Sequence, residues 1–515
     1  MERIMRHSKC IQMVFAAAFL LGCMESAVIK PPAGKPFAGS LAFSPSGAGA
    51  GASVIIRGNN FSAAPSGNIV FFGAVRASVV TASTTRLQVT VPASATYAPI
   101  TVTVNGLTAS SRQPFMPTFV GDGKGIRPTS FVRAATLPTG AYPVRVVVAD
   151  LDGDGKPDLI VGNINDHTIG IYRNISTAGS LSSDSFAPPV LLDVPDGTSS
   201  PFNLVAADLD GDGKLDIIAA DAGNNLVSVF HNNCVPGHIT ADSFGARVDF
   251  VTGATPMDVE VADMDGDGKP DLVTANATDG TVSILRNTSV VGSLTAASFA
   301  PKIDIATGSG CFTVAVGDLD GDGRPDLATA NSRESSVSVL RNLSSPGRIA
   351  FAPKASLSTL QAPFHVAIGD LDGDGKPDLL VACYYANSLS VFRNLSTVGS
   401  LTAGSFASRI DYPLSGRGHR AAVGDLDGDG KPDIAVVTEL SPALSIFRNV
   451  SAPGSFTGDS LADRVDFATG PNPASVAICD LDGDGRPDIV FCNEYNATIT
   501  IYRNKVPFGN GASAR

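Results

Sequence analysis

Apolar and polar positions alternate in short runs along most of this chain, and turn residues break the runs. From Ser298 the pattern is clear. Phe299-Ala-Pro-Lys-Ile-Asp-Ile-Ala reads as a strand and Thr307-Gly-Ser-Gly as a turn. Phe312-Thr-Val-Ala-Val-Gly is a second strand, Asp326-Leu-Ala-Thr-Ala-Asn a third, and Ser336-Val-Ser-Val-Leu-Arg-Asn a fourth. Four short strands joined by turns predict one antiparallel sheet. The unit recurs at intervals of 58, 55, 55, 52, 55 and 55 residues, counted from one fixed motif. Sheets repeated at such a period around an axis predict a β-propeller.

The motif is Asp-x-Asp-Gly-Asp-Gly-x-x-Asp, and it lies between the second and third strand of the unit seven times. Its aspartates are Asp150, Asp152, Asp154 and Asp158; Asp208, Asp210, Asp212 and Asp216; Asp263, Asp265, Asp267 and Asp271; Asp318, Asp320, Asp322 and Asp326; Asp370, Asp372, Asp374 and Asp378; Asp425, Asp427, Asp429 and Asp433; and Asp480, Asp482, Asp484 and Asp488. Carboxylates at positions 1, 3, 5 and 9 of a tight loop converge on one point. An all-oxygen, many-ligand set suits a hard cation and favours Ca²⁺ over Mg²⁺, so about seven ions are expected, one per blade. An EF-hand needs a Glu at position 12, where this chain has apolar residues or Thr (Val161 and Thr274, for example). Strands, not helices, flank the loops.

Composition changes the picture once the loops are known. The formal charge is −12, but the loops hold 28 of the 49 acids, leaving 21 against 37 bases. Seven dications would bring the chain to +2. The acidity therefore belongs to the metal loops and does not point to a cationic partner. Basic residues form no stripe with interleaved aromatics, which excludes nucleic acid as the expected partner.

Motif, period and flanking strands resemble the FG-GAP/VCBS repeats of the integrin α-subunit propeller family over residues 130–515. The expected fold class is all-β: a seven-bladed β-propeller preceded by a small immunoglobulin-like β-sandwich. The last repeat ends in a strand at Thr498–Asn504. Ser130-Phe-Val-Arg-Ala-Ala-Thr-Leu matches the outer-strand starts elsewhere, such as Ser185-Phe-Ala-Pro and Ser405-Phe-Ala-Ser. The segment before the first loop is thus expected to close the seventh blade.

Arg3, Arg6 and Lys9 precede an apolar run from Ile11 to Leu21, which reads as a secretory signal over residues 1–22. Leu20-Leu-Gly-Cys23 resembles the bacterial lipobox, which implies lipidation at Cys23. The expected membrane link is that lipid anchor alone, on the outer membrane or cell surface of a bacterium. Residues 23–36 read as a tether and 116–129 as a linker. Residues 37–115 carry alternating strands such as Ser53-Val-Ile-Ile-Arg and Ile100-Thr-Val-Thr-Val. The run from Gly58-Asn-Asn-Phe61 through Phe72-Gly to Val104-Asn-Gly resembles IPT/TIG immunoglobulin-like domains. Cys479 and Cys492 share a hairpin but have different offsets from its loop, so they are not expected to pair.

The chain carries no Gly-x-Ser-x-Gly, His-Glu-x-x-His or Walker pattern. The face opposite the metal loops is the expected ligand surface, with Tyr384, Tyr385, His365, His419, Arg420 and Tyr495 as its candidates. The leading expectation is a non-catalytic adhesion or binding module for an extracellular glycan or protein. The alternatives are a polysaccharide-acting lyase or hydrolase on the same propeller, and a structural partner in a surface complex. Asn287-Thr-Ser and Asn342-Leu-Ser match glycosylation sequons but are expected to cap turns.

Overall fold

The computed structural model describes residues 41–194 and 200–509. The signal segment, Cys23, the tether and residues 37–40 lie outside the described residues. Seven four-stranded antiparallel sheets form the blades of a propeller. In the first blade, strands run outward from the axis in chain order: Pro143–Ala149, Asp158–Asn163, Thr168–Tyr172 and Val190–Asp193. The seventh combines Pro473–Cys479, Asp488–Asn493 and Thr498–Asn504 with Phe131–Pro138 from the other end of the chain. Ile499 faces Leu137 and Thr500 faces Thr136 in that pairing. The ring therefore closes through strand pairing, and the outer edge of the last blade is covered.

The second and third strands of each blade are buried on both faces. All six residues of Asp158–Asn163 and all five of Thr168–Tyr172 are buried. Each blade packs on two neighbours, so the one-sided alternation of an exposed sheet gives way to continuous Val, Ile, Leu and Ala. Val146, Leu159 and Val161 of the first blade share one core cluster with Val490 and Ile499 of the seventh. Blade-to-blade burial is thus the main source of cohesion, at about 25 cal/mol per Å² of apolar surface removed from water.

Residues 41–117 form a smaller all-β unit with its own core, including Val54, Ile56, Phe72, Leu87, Ile100 and Phe115. Strand Val75–Ser83 pairs with both Ile69–Phe72 and Arg86–Thr90 and bulges between Val79 and Thr81. The chain thereby folds over on itself around that core. Leu107–Pro117, a strand of 11 residues, runs into the segment read from sequence as a linker. That segment is held down: the Gly121 N–H donates to the Gly428 carbonyl, and Arg127 pairs with Asp122 at 3.0 Å. The five described cysteines are free and buried. Ser475 faces Cys492, and Cys479 faces Asp488, so the two hairpin cysteines do not meet.

Candidate metal loops and ligand funnel

Each acidic loop joins the innermost strand to the second strand, so all seven emerge on one face. In the first, the Gly155 N–H donates to Asp150 Oδ2 at 3.1 Å, and the Asp154 N–H to Asp152 Oδ1 at 3.1 Å. Gly155 has φ of 88°, which a side chain would strain. Asp158 opens the second strand and is fully buried. Its two oxygens accept the N–H groups of Leu151 and Asn174. The loop backbone thus holds the four carboxylates in place.

The residues present fit a cation. Groups of carboxylates, such as Asp150 with Asp152 and Asp154, place one oxygen each within 4.8 Å of the others. Asp150 Oδ1 and Asp318 Oδ1 are buried with no hydrogen-bond partner. Without a bound cation, loss of water pushes the Asp150, Asp208, Asp263 and Asp425 carboxyls up to about 7, and neighbouring aspartates add to the rise. Burial raises Asp271, Asp326 and Asp378 to about 8. Such groups ionise readily only when a positive charge sits among them. These acidic clusters can therefore hold metal ions.

An asparagine ends or closely follows the third strand of every blade: Asn174, Asn232, Asn287, Asn342, Asn394, Asn449 and Asn504. Each is fully buried. Asn287 Nδ2 donates to the Pro270 carbonyl of its own loop at 2.8 Å and to the Leu209 carbonyl of the preceding loop at 2.7 Å. Its Oδ1 accepts the Ser289 N–H at 2.8 Å. Asn287 and Asn342 thus cap turns and staple adjacent loops, and their amides are out of reach of a glycan.

The sandwich unit sits on this same face. Ser94 Oγ donates to the Asp480 carbonyl at 2.6 Å, and the Thr108 N–H to the Gly268 carbonyl at 2.6 Å. The Asp150 N–H donates to the Ala74 carbonyl at 3.0 Å, and the Asp370 N–H to the Tyr97 hydroxyl at 3.2 Å. Arg112 Nε lies 3.5 Å from Asp318 Oδ2. Thr118 hydrogen-bonds Asp425, and Gly106 packs against Gly211 of the second loop. Every one of the seven loops meets residues 74–118. The face with the acidic loops is therefore capped.

The other end of the axis is open. At this end each innermost strand carries a bulge, for example between Pro201 and Asn203 and between Pro363 and His365. The extra residue turns out of register. In order around the ring these residues include Val144, Phe202, Met257, Phe312, Phe364 and His419, and all of them line a cavity of about 580 Å³. Phe312 stacks on Phe364 at 4.4 Å between ring centroids, and Phe364 on Tyr384 at 4.3 Å. Arg417 lies over the Tyr384 and Tyr385 rings at 5.1 and 5.0 Å and is 3.4 Å from Glu439. Glu494 accepts hydrogen bonds from Asn472 and Tyr142, and burial raises its carboxyl to about 7. Tyr142 and Asn472 hold left-handed φ values of 61° and 52° directly before prolines, a conformation that pre-proline residues disfavour.

Of the six ligand-surface candidates, Tyr384, His419 and Tyr495 line this cavity. Tyr385 is exposed beside it. His365 and Arg420 lie one layer deeper on the axis. His365 Nδ1 accepts the Ala421 N–H at 3.4 Å, and Arg420 pairs with Asp258 at 3.0 Å across the ring. Desolvation holds the His419 imidazole down at about 4. Sequence reasoning missed Tyr142, Phe202, Met257, Phe312 and Asn472. The signal for three of them was the residue after the opening position of each innermost strand, in Pro201-Phe202, Pro256-Met257 and Cys311-Phe312.

The FG-GAP-like repeat pattern matches residues 116–161, 150–219, 208–274, 263–329, 319–381 and 370–436. The chain belongs to the FG-GAP-like repeat family. The IPT/TIG domain pattern matches residues 41–116 of this FG-GAP protein, the capping unit. The seventh FG-GAP loop, Asp480–Asp488, lies beyond the matched segments and makes the same backbone bonds. No match was found among curated proteins. Among solved structures, BBS1N in complex with ARL6DN is similar at 12% identity and a TM-score of 0.48, covering 76% of this chain and 100% of that one. An auxiliary nutrient binding protein from Bacteroides thetaiotaomicron is similar at 13% identity and a TM-score of 0.37, covering 91% and 98%. An Agrocybe aegerita lectin described as recognising non-reducing terminal N-acetylglucosamine is similar at 19% and 0.41, covering 80% and 94%. FG-GAP repeats with a TIG domain suggest an extracellular protein. No helix among the described residues is long and apolar enough to cross a membrane.

Proposed function

We propose that this FG-GAP protein is an exported, calcium-stabilised binding module. It takes its ligand in the funnel opposite the metal loops. One observation carries the reading: the strand bulges direct a ring of side chains, mostly apolar and aromatic, into one open cavity of about 580 Å³, a size suited to small ligands. Glu439, Glu494, Asn472 and Arg417 supply donors and acceptors at its wall. Apolar floor and polar wall together suit a saccharide terminus, whose C–H face packs on rings while its hydroxyls hydrogen-bond. Calcium, about one ion per blade, fixes the loops at the far end and takes no part in contact with the ligand. Cys23 carries the lipid that anchors the protein to the cell surface.

A second reading is favoured by Glu494. A carboxyl raised to about 7 beside a second carboxylate, Glu439, is suited to general acid chemistry on a glycosidic bond. One experiment separates the two. The protein is incubated with a polysaccharide and oligosaccharide panel in calcium, and retention and product are scored together. Retention without product, lost in Tyr384→Ala, is the expected result. Product release that disappears in Glu494→Gln would replace the binding module with an enzyme. No retention of any member of the panel would overturn the saccharide reading.

A further inference from the structure

Six of the seven blades place an arginine against the outer oxygens of loop positions 3 and 5. Arg173 Nε is 2.5 Å from Asp152 Oδ2, and its Nη2 is 2.8 Å from Asp154 Oδ2. Arg341, Arg393, Arg448 and Arg503 repeat the pairing, and Arg286 stands back at 3.7 and 4.0 Å. The second blade has His231 at this place. Its Nε2 lies 3.0 Å from Asp210 Oδ2 and 3.8 Å from Asp212 Oδ2. Asp210 Oδ2 and His231 Nε2 are shut off from water and pair with each other, as Asp482 Oδ2 and Arg503 Nε do in the seventh blade, and Asp210, Asp212 and His231 each place one ligand atom within 4.8 Å of the others. Asp210 itself is only 2% exposed.

We propose that Asp210, Asp212 and His231 bind a transition-metal dication of the zinc class, outside the calcium cage of that blade. Two ligand atoms that share such an ion at about 2.0–2.2 Å, at angles between octahedral and tetrahedral, stand roughly 3.0–3.5 Å apart. The His231–Asp210 separation of 3.0 Å falls in that range, and Asp212 Oδ2, at 3.8 Å from His231, has to move in by a few tenths of an ångström to join them. Imidazole nitrogen suits zinc, copper, nickel or iron and does not suit calcium. The inner oxygens of positions 3 and 5 are occupied separately: Asp210 Oδ1 accepts the Asp212 N–H, and Asp212 Oδ1 accepts the Lys214 N–H. The outer pair is thus free to serve a second cation. Six blades place a covalently built positive charge there, and the second blade takes its charge from solution. His231 is partly exposed, with 19% of its side chain accessible, which leaves a route for the ion.

The full chain is loaded with Zn²⁺ in millimolar calcium, passed over a desalting column and analysed for metals. One retained equivalent of zinc is expected. His231→Arg, which restores the side chain of the other six blades, should fold normally and lose that equivalent. Its zinc affinity should fall at least about tenfold, since even outer-shell partners of a metal site contribute that much. Calcium content should stay constant. With Co²⁺ as the probe, the wild type should show a visible ligand-field spectrum that His231→Arg lacks. Absence of retained zinc in the wild type, or equal retention in His231→Arg, would overturn the site and leave His231 as an ordinary ion-pair partner of the two aspartates.

Discussion

Replacing Asn394 by alanine tests whether the loop-to-loop staples hold the ring together. Asn394 Nδ2 donates to the Pro377 carbonyl and to the Leu319 carbonyl, each at 2.8 Å, and Oδ1 accepts the Ser396 N–H at 2.8 Å. The side chain is fully buried, so water cannot replace it. Leu319 O keeps a second donor in Ser396 Oγ at 2.8 Å. That leaves one carbonyl and one N–H without their partner. At about 1–3 kcal/mol for each buried group left unsatisfied, the loss is about 2–6 kcal/mol. Unfolding entropy near 2 cal/mol/K per residue over roughly 380 propeller residues makes each kcal/mol worth about 1.3 °C. Tm in saturating calcium should therefore fall by about 3–8 °C in Asn394→Ala. Thr397→Ala, three residues on and exposed, is the control and should move it by less than 1 °C, as surface substitutions usually do. If the two variants melt together, the staple has no energetic role and the account of loop coupling fails.

Chelation should lower Tm far more than any single substitution, since each ion held at a hundredfold excess over its Kd adds about 2.7 kcal/mol to the folded state; an unchanged melt in excess chelator would refute calcium in the loops. Glu494 gives a pH signature. Its folded carboxyl is raised to about 7, so the folded state keeps a proton that the unfolded chain has already released. Stability from this group falls as pH rises from about 4.5 to about 7 and is flat above that. Glu494→Gln in saturating calcium should remove that slope, and an unaltered profile would show that Glu494 ionises normally. Ser94→Ala removes the bond to the Asp480 carbonyl; it should cost about 1 kcal/mol and speed amide exchange in the seventh loop. Identical exchange rates would mean that the cap rests on that loop without restraining it.

Much of the fold was legible because each blade repeats one local code. Strands, loop positions and the closing role of Phe131–Pro138 all follow from period and alternation. The expected strand from Phe299 is shorter, Ile303–Ala306, because Phe299 instead bridges Asn287 beside the metal loop. The cap was not legible. Its contacts, such as Thr108 with Gly268 or Ser94 with Asp480, join residues far apart in sequence, and each is a single bond from a differently placed backbone or side-chain group, so no repeated pattern marks them. The funnel was half legible. Tyr384 and His419 stand out as rare residue types, whereas Phe202 and Phe312 look like core until the bulge turns them to the axis.

Closure of the ring by Phe131–Pro138 also sets the order in which this molecule becomes whole. That strand leaves the ribosome before any blade and pairs with Thr498–Asn504, which leaves it last. Between the two events the outermost strand has no partner, and the first and seventh blades each expose a face. Domains otherwise tend to consolidate as they are made, N-terminal parts first. Here the final contact spans nearly the whole propeller, and such non-local pairings form slowly. A chain stopped before Thr498 would therefore leave Phe131–Pro138 without its partner strand. The intact length of the polypeptide acts as its own checkpoint.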